Sequence, residues 1–165
     1  MRMNPRILLS LIAALPLAAV AERFDHSVPM QQQKSGNYYV AGVLGDGVEA
    51  EFLVDTGSGY VSLSKRTFER VRAEPGTAHL RDIHGAMADG RVVKVPVYRI
   101  ARLALGGCVL EDIEAAVFPG AARDILGLSA LRRIEPFALQ LEPPVLIVSD
   151  CAPPAALARA AAEPR

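Results

Sequence analysis

Between Asn37 and Val148, short apolar runs of β type alternate with turn residues, and this pattern limits the folds open to the chain more than any other feature. The clearest case is a hairpin in which Gly45-Asp46-Gly47 joins the runs 37–44 and 48–54. The remaining runs are also of strand length, apart from two short helical patterns at 65–72 and 128–134. The sequence therefore predicts an all-β, closed barrel-like domain with one or two short helices.

A compact polar loop, Asp55-Thr56-Gly57-Ser58, follows the apolar run Phe52-Leu53-Val54. The glycine allows a sharp turn, and its N–H can donate a hydrogen bond to the Asp55 carboxylate. We also expect the Ser58 hydroxyl to donate to the outer oxygen of Asp55. A carboxylate in such a loop beside apolar residues is a candidate for a catalytic group. The alternative is a structural aspartate that only completes a turn at the end of a strand.

An apolar strand pattern, Ile125-Leu126-Gly127, occurs later in the chain. Together with Asp55-Thr56-Gly57-Ser58, it resembles the retropepsin-like family of aspartic proteases, in particular its exported single-domain bacterial members. The resemblance covers residues 36–148 and implies one acid-protease lobe per chain. It implies that Asp55 is catalytic, that Thr56, Gly57 and Ser58 support the loop, and that Ile125, Leu126 and Gly127 form the strand beneath it.

The same resemblance implies a flap, a hairpin that closes over the substrate, with Ala86, Met87, Ala88, Asp89 and Gly90 at its tip. A short helix is expected to follow Gly127. It lacks the Arg-Asp pair of viral relatives, so an ion pair of the viral kind is not expected to join two subunits.

Aspartic protease chemistry needs two carboxylates, and this chain has a single Asp-Thr-Gly triplet. The prediction is a homodimeric aspartic endopeptidase in which two Asp55 side chains activate a water, with a peptide or protein as substrate and no cofactor. One alternative is a non-catalytic β-barrel binding module of the cell envelope that keeps the protease fold. Another is an enzyme whose main target is its own N-terminal segment or tail.

Other function classes find less support in the sequence. Lysine plus arginine equals aspartate plus glutamate, 18 each, which argues against nucleic acid or an anionic membrane surface as the main partner. The three histidines, His26, His79 and His84, are too scattered to predict a metal site, and no His-Glu-x-x-His motif is present.

The first residues read as an export signal, with Arg2 and Arg6 before the apolar run 7–17 and the cleavage pattern Ala19-Val20-Ala21. The expected location is therefore secreted, in the periplasm, and no later stretch is apolar enough to cross a membrane. A Cys108–Cys151 disulfide is left open. The predicted divisions are a signal peptide (1–21), a flexible segment (22–35), the protease domain (36–149) and an Ala/Pro-rich tail (150–165).

Overall fold

The computed structural model describes residues 26–86, 90–120 and 123–149. These residues form ten strands, two short α-helices and one 3-10 helix. The strands are β1 (His26–Gln32), β2 (Tyr38–Leu44), β3 (Val48–Val54), β4 (Val61–Leu63), β5 (Ala78–Ala86), β6 (Val92–Leu105), β7 (Cys108–Val117), β8 (Asp124–Leu126), β9 (Phe137–Leu141) and β10 (Pro144–Val148). The helices are α1 (Lys65–Val71) and α2 (Leu128–Leu131), and the 3-10 helix, Arg132–Ile134, follows α2.

Six of the strands close into a barrel in the order β6-β7-β4-β8-β3-β2. Closure is made by β2, which pairs with β3 along its length and also with β6 through Val43↔Ala104 and Leu44↔Leu103. The sheet continues outside the barrel, from β6 to β5 on one side and from β2 through β1 and β10 to β9 on the other. The predicted all-β closed barrel is confirmed.

Large apolar side chains fill the barrel. Alternate residues of each strand point inward, so that the hydrophobic core draws on strands that are distant in sequence. Helix α1 covers one side of the barrel with Phe68 and Val71, and begins at Ser64, whose hydroxyl accepts a hydrogen bond from the Thr67 N–H. Side chains that are less than 2% exposed include Leu44, Phe52, Leu63, Ile100, Leu103, Leu105, Ile113, Leu126, Leu131 and Ile134.

The prediction of a flexible segment over 22–35 is wrong for His26–Gln32, which form β1. This strand pairs with β10 through Val28↔Leu146 and with β2 through Met30↔Val40. Val28 and Met30 are 3% and 4% exposed, so two buried side chains and two hydrogen-bonded ladders fix a segment that is otherwise polar. Its polar composition hid the strand, because only every second residue contacts the core.

The predicted flap is a hairpin of β5 and β6, with Ala86 paired to Val92 next to its tip. Ala86 and Gly90 are exposed, while Met87, Ala88 and Asp89 lie outside the described residues. The predicted signal peptide and most of the predicted tail, including Cys151, also lie outside them. Cys108 is 1% exposed and disulfide-bonded. Within the described ranges, none of the helices is long and apolar enough to cross a membrane.

Candidate active site

Asp55 stands directly after β3, at an end of the barrel where two parallel strands stop together. Strands β3 and β8 pair in parallel, with Leu53 opposite Ile125 and Val54 opposite Leu126. The Asp55 N–H then continues this ladder by donating to the Leu126 carbonyl oxygen at 3.1 Å. The structure therefore brings the two sequence motifs together, with the Ile125–Leu126 strand alongside the strand that carries the aspartate.

Gly127 lets the end of β8 pass close to the backbone of the segment that follows Asp55. A β-carbon built at this position would clash with the Tyr60 carbonyl oxygen and would lie 2.7 Å from that of Ser58. Both atoms belong to the backbone of the segment that follows Asp55, so neither can move aside as a flexible side chain would. A glycine is required here by the close approach of the backbones.

The start of α2 fastens the segment after Asp55 through a group of hydrogen bonds. The Leu128 N–H donates to the Ser58 carbonyl oxygen at 2.8 Å, and the Ser129 N–H donates to that of Gly59 at 3.1 Å. The Ser129 hydroxyl oxygen in turn accepts from the Val61 N–H at 2.8 Å. Ser129 thus binds the segment at two places, through its N–H and through its hydroxyl oxygen. Sequence reasoning missed this role.

Asp55 is partly exposed. The Gly57 N–H donates to Asp55 Oδ1 at 2.9 Å, as predicted, and this bond fixes the orientation of the carboxylate. Thr56 and Gly57 are exposed. No hydrogen bond from a described residue reaches the second carboxylate oxygen, Oδ2.

The expected hydrogen bond from Ser58 to Asp55 is absent among the bonds of this loop. The Ser58 hydroxyl donates instead to the carbonyl oxygen of Tyr60, at 2.9 Å. Ser58 therefore supports the loop by tightening the turn after it, and the local bond two residues away competes successfully with the carboxylate.

A buried carboxylate, Asp124, lies at the start of β8, opposite Phe52 of β3. It is 7% exposed and accepts hydrogen bonds from the Ser64 N–H and from the Thr67 hydroxyl, both at 2.6 Å. These donors belong to the first turn of α1, so Asp124 ties the supporting strand to that helix. Its place before Ile125-Leu126-Gly127 was visible in the sequence, but its partners are distant in the chain.

The inner face of the flap hairpin meets the segment after Asp55 in a second apolar cluster. Val95, Val97 and Ala116 are fully buried, and the side chains packed against them are Tyr60, Ile83, Val93 and Phe118. Tyr60 comes from the loop that carries the aspartate, whereas Ile83 and Val93 come from the hairpin. The cluster therefore places the base of the flap beside the Asp55 loop.

A large groove of the described residues lies elsewhere. It has a volume of about 1190 Å³ and is lined by residues of β2, β3 and α1, among them Tyr39, Glu51 and Arg70, and no residue of the Asp55 loop borders it. No group of three or more His, Cys, Asp or Glu side chains in the described part of the chain could hold a metal ion.

A closed barrel with one Asp-Thr-Gly loop, backed by an Ile-Leu-Gly strand and flanked by a hairpin, is a single retropepsin-like lobe. The profile of the family described as "gag-polyprotein putative aspartyl protease" matches residues 42–133, more than half of the chain. The chain belongs to this retropepsin-like aspartyl protease family.

Among solved structures, the chain is similar to a retropepsin-like aspartic protease from Rickettsia conorii. The TM-score is 0.56 and the sequence identity 17%, over 75% of this chain and 90% of that one. At this identity the likeness concerns the fold alone. No curated protein sequence matches the chain.

Proposed function

We propose that the protein is an exported aspartic endopeptidase that works as a homodimer, with one Asp55 from each subunit. The observation that carries the proposal is the Asp55 loop itself, which is held by the Leu126 carbonyl oxygen and oriented by the Gly57 N–H while the carboxylate stays accessible. Membership of the aspartyl protease family supports the reaction class. The substrate is a peptide or protein segment in extended conformation between the subunits.

Two Asp55 carboxylates a few Å apart cannot both be ionised, so they share one proton. The ionised carboxylate takes a proton from a water molecule, and the oxygen of that water attacks the peptide carbonyl carbon. The protonated carboxylate gives its proton to the carbonyl oxygen. Collapse of the tetrahedral intermediate then breaks the C–N bond as the nitrogen receives a proton, which leaves a carboxylic acid and an amine.

The need for a second subunit follows from the same chemistry, because one carboxylate cannot be both general acid and general base. An exposed sheet edge supports the dimer. Strand β9 pairs with β10 on one side only, and its Leu139 and Leu141 are 41% and 54% exposed. An apolar edge of this kind is a template for pairing with another chain.

Export to the periplasm is part of the proposal and is supported by the basic and apolar pattern of residues 1–21. The mass of the protein purified from the periplasm of an expressing bacterium tests it. Cleavage after Ala21 gives a chain that begins at Glu22. A chain that keeps its first 21 residues and stays in the cytoplasm would contradict export.

The test of the activity is cleavage of a peptide library by the purified protein and by two variants. Asp55→Asn keeps the size of the side chain but removes the charge, so turnover should fall by at least about a thousandfold, the scale on which acid–base groups and charge stabilisation act together. Asp46→Asn changes an exposed aspartate of the β2–β3 turn and should leave turnover unchanged. Equal melting temperatures of all three proteins exclude unfolding as the cause.

Two results would redirect the proposal. A fully active Asp55→Asn protein would show that Asp55 is a structural turn residue. A well-folded wild-type protein that cleaves no peptide would favour the envelope binding module. Intact mass measured during incubation separates processing of the chain's own ends from cleavage of added peptides.

A further inference from the structure

Strand β5 forms the outer edge of the flap hairpin, and only β6 pairs with it in the sheet. Side chains on its inner face must therefore supply any other attachment to the rest of the molecule. Arg81 lies on this face, because it stands opposite the fully buried Val97 of β6, which in turn stands opposite Ala116 of β7. Glu114 shares the face, two residues before Ala116.

The Arg81 guanidinium reaches across β6 and holds the Glu114 carboxylate with two hydrogen bonds. The bond from Nη1 to Oε1 is 2.9 Å long and that from Nη2 to Oε2 is 2.5 Å. A paired contact of this kind fixes direction as well as distance, which a lysine ammonium cannot do. The pair joins β5 to β7, the two outer strands of the three-stranded flap sheet, across β6.

The Arg81–Glu114 pair also lies close to the segment that follows Asp55. Glu114 first and the Tyr60 side chain second raise the pKa of Arg81. Tyr60 follows Asp55 closely, its carbonyl oxygen accepts from Ser58, and its ring packs in the apolar cluster with Ile83 and Val93. Glu114 directly precedes Ala115, which pairs with Val61 of β4, so the Arg81–Glu114 pair joins the flap hairpin to the strand beside the segment that follows Asp55.

We propose that Arg81 is a positioning residue, which through Glu114 latches the flap hairpin to β7, next to the segment that follows Asp55. The inference rests on the proposed function for its effect on catalysis, but not for its effect on motion. The side chains of Arg81 and Glu114 are 44% and 40% exposed, and exposed pairs contribute little to global stability. Their expected effect is on how often the hairpin opens and on how tightly substrate is held beneath it.

The test compares Arg81→Ala with Arg72→Ala, which removes an equally simple exposed pair, Arg72–Glu69, from α1. Hydrogen exchange, followed by mass spectrometry, reports on residues 78–86 and 58–61 in each protein. Arg81→Ala should speed exchange in both segments severalfold with a melting temperature within about 2 °C of wild type, whereas Arg72→Ala should change neither segment. Arg81→Lys should behave like Arg81→Ala, because a lysine ammonium keeps the charge but cannot make the paired hydrogen bonds of a guanidinium.

Kinetics with a cleaved peptide give a second readout. The KM of Arg81→Ala should rise up to about fivefold with kcat within about twofold, the size expected for an exposed pair. Unchanged exchange in both segments overturns the latch, and faster exchange with an unchanged KM overturns the positioning role of Arg81 in catalysis. Faster exchange in a protein that cleaves no peptide keeps the mechanical latch and overturns the proposed function instead.

Discussion

At the scale of single residues, Gly127 is the position on which the geometry of the site depends most directly. A methyl group there would overlap the backbone carbonyls of Tyr60 and Ser58, so Gly127→Ala must push the loop after Asp55 away from β8. Overpacking against backbone costs about 3 kcal/mol of unfolding free energy. We expect Gly127→Ala to lose about that much stability in urea unfolding, together with its peptide cleavage.

Gly47→Ala is the matched control, because a β-carbon at Gly47 meets nothing within 4 Å. Its unfolding free energy should stay within about 0.5 kcal/mol of wild type. If Gly127→Ala proved as stable as this control, the close crossing of the two chain segments would be wrong.

At the scale of elements, Asp124 joins the strand beneath the active-site loop to helix α1. Asp124→Ala leaves the Ser64 N–H and the Thr67 hydroxyl without their buried acceptor, and each such loss costs about 1–3 kcal/mol. We expect a loss of about 3 kcal/mol in unfolding free energy. Asp124→Asn should lose about 1 kcal/mol, because its amide oxygen still accepts from the Ser64 N–H.

The control for this prediction is Glu51→Ala, which removes an exposed carboxylate from the neighbouring strand β3. Its unfolding free energy should change by less than about 0.5 kcal/mol. Equal losses in Asp124→Ala and Glu51→Ala would show that Asp124 does not clamp the helix to the strand.

Elements whose signals are local were predictable from the sequence. The Gly45-Asp46-Gly47 turn, the Ser64 cap of α1 and the two motifs of the active-site loop each depend on a few consecutive residues. The contacts of Ser129 with Val61 and of Arg81 with Glu114 were not predictable, since they depend on which strands become neighbours when the barrel closes. Strand β1 was missed for a related reason, because its stability comes from ladders to β2 and β10.

At the scale of the whole molecule, the sheet formed by residues 26–149 has β5 and β9 at its two edges, and these strands differ in what they offer a second copy. Strand β9 places Phe137, Leu139 and Leu141 on one face and carries no charge that would discourage pairing. Two β9 strands that pair antiparallel about a two-fold axis at Leu139 would set each Phe137 opposite Leu141 of the partner subunit. Such a contact is self-complementary, as a symmetric dimer requires.

Leu139→Lys should therefore weaken the dimer. It removes apolar contact and brings two like charges together at the axis, so the dissociation constant should rise by at least about tenfold. Leu80→Lys is the control, because Leu80 is also 41% exposed and lies on the other edge strand. Sedimentation equilibrium over a dilution series at pH 5 and pH 7 measures both variants and the wild type.

The three proteins together decide how the site is completed. Dissociation caused by Leu139→Lys alone, with a parallel loss of peptide cleavage, ties the activity to two Asp55 side chains brought together through β9. Dissociation caused by Leu80→Lys alone would move the interface to the flap edge. A wild-type protein that is monomeric throughout the series would leave each site with a single carboxylate, and since one group cannot be both acid and base, it would contradict the proposed endopeptidase in favour of the binding module.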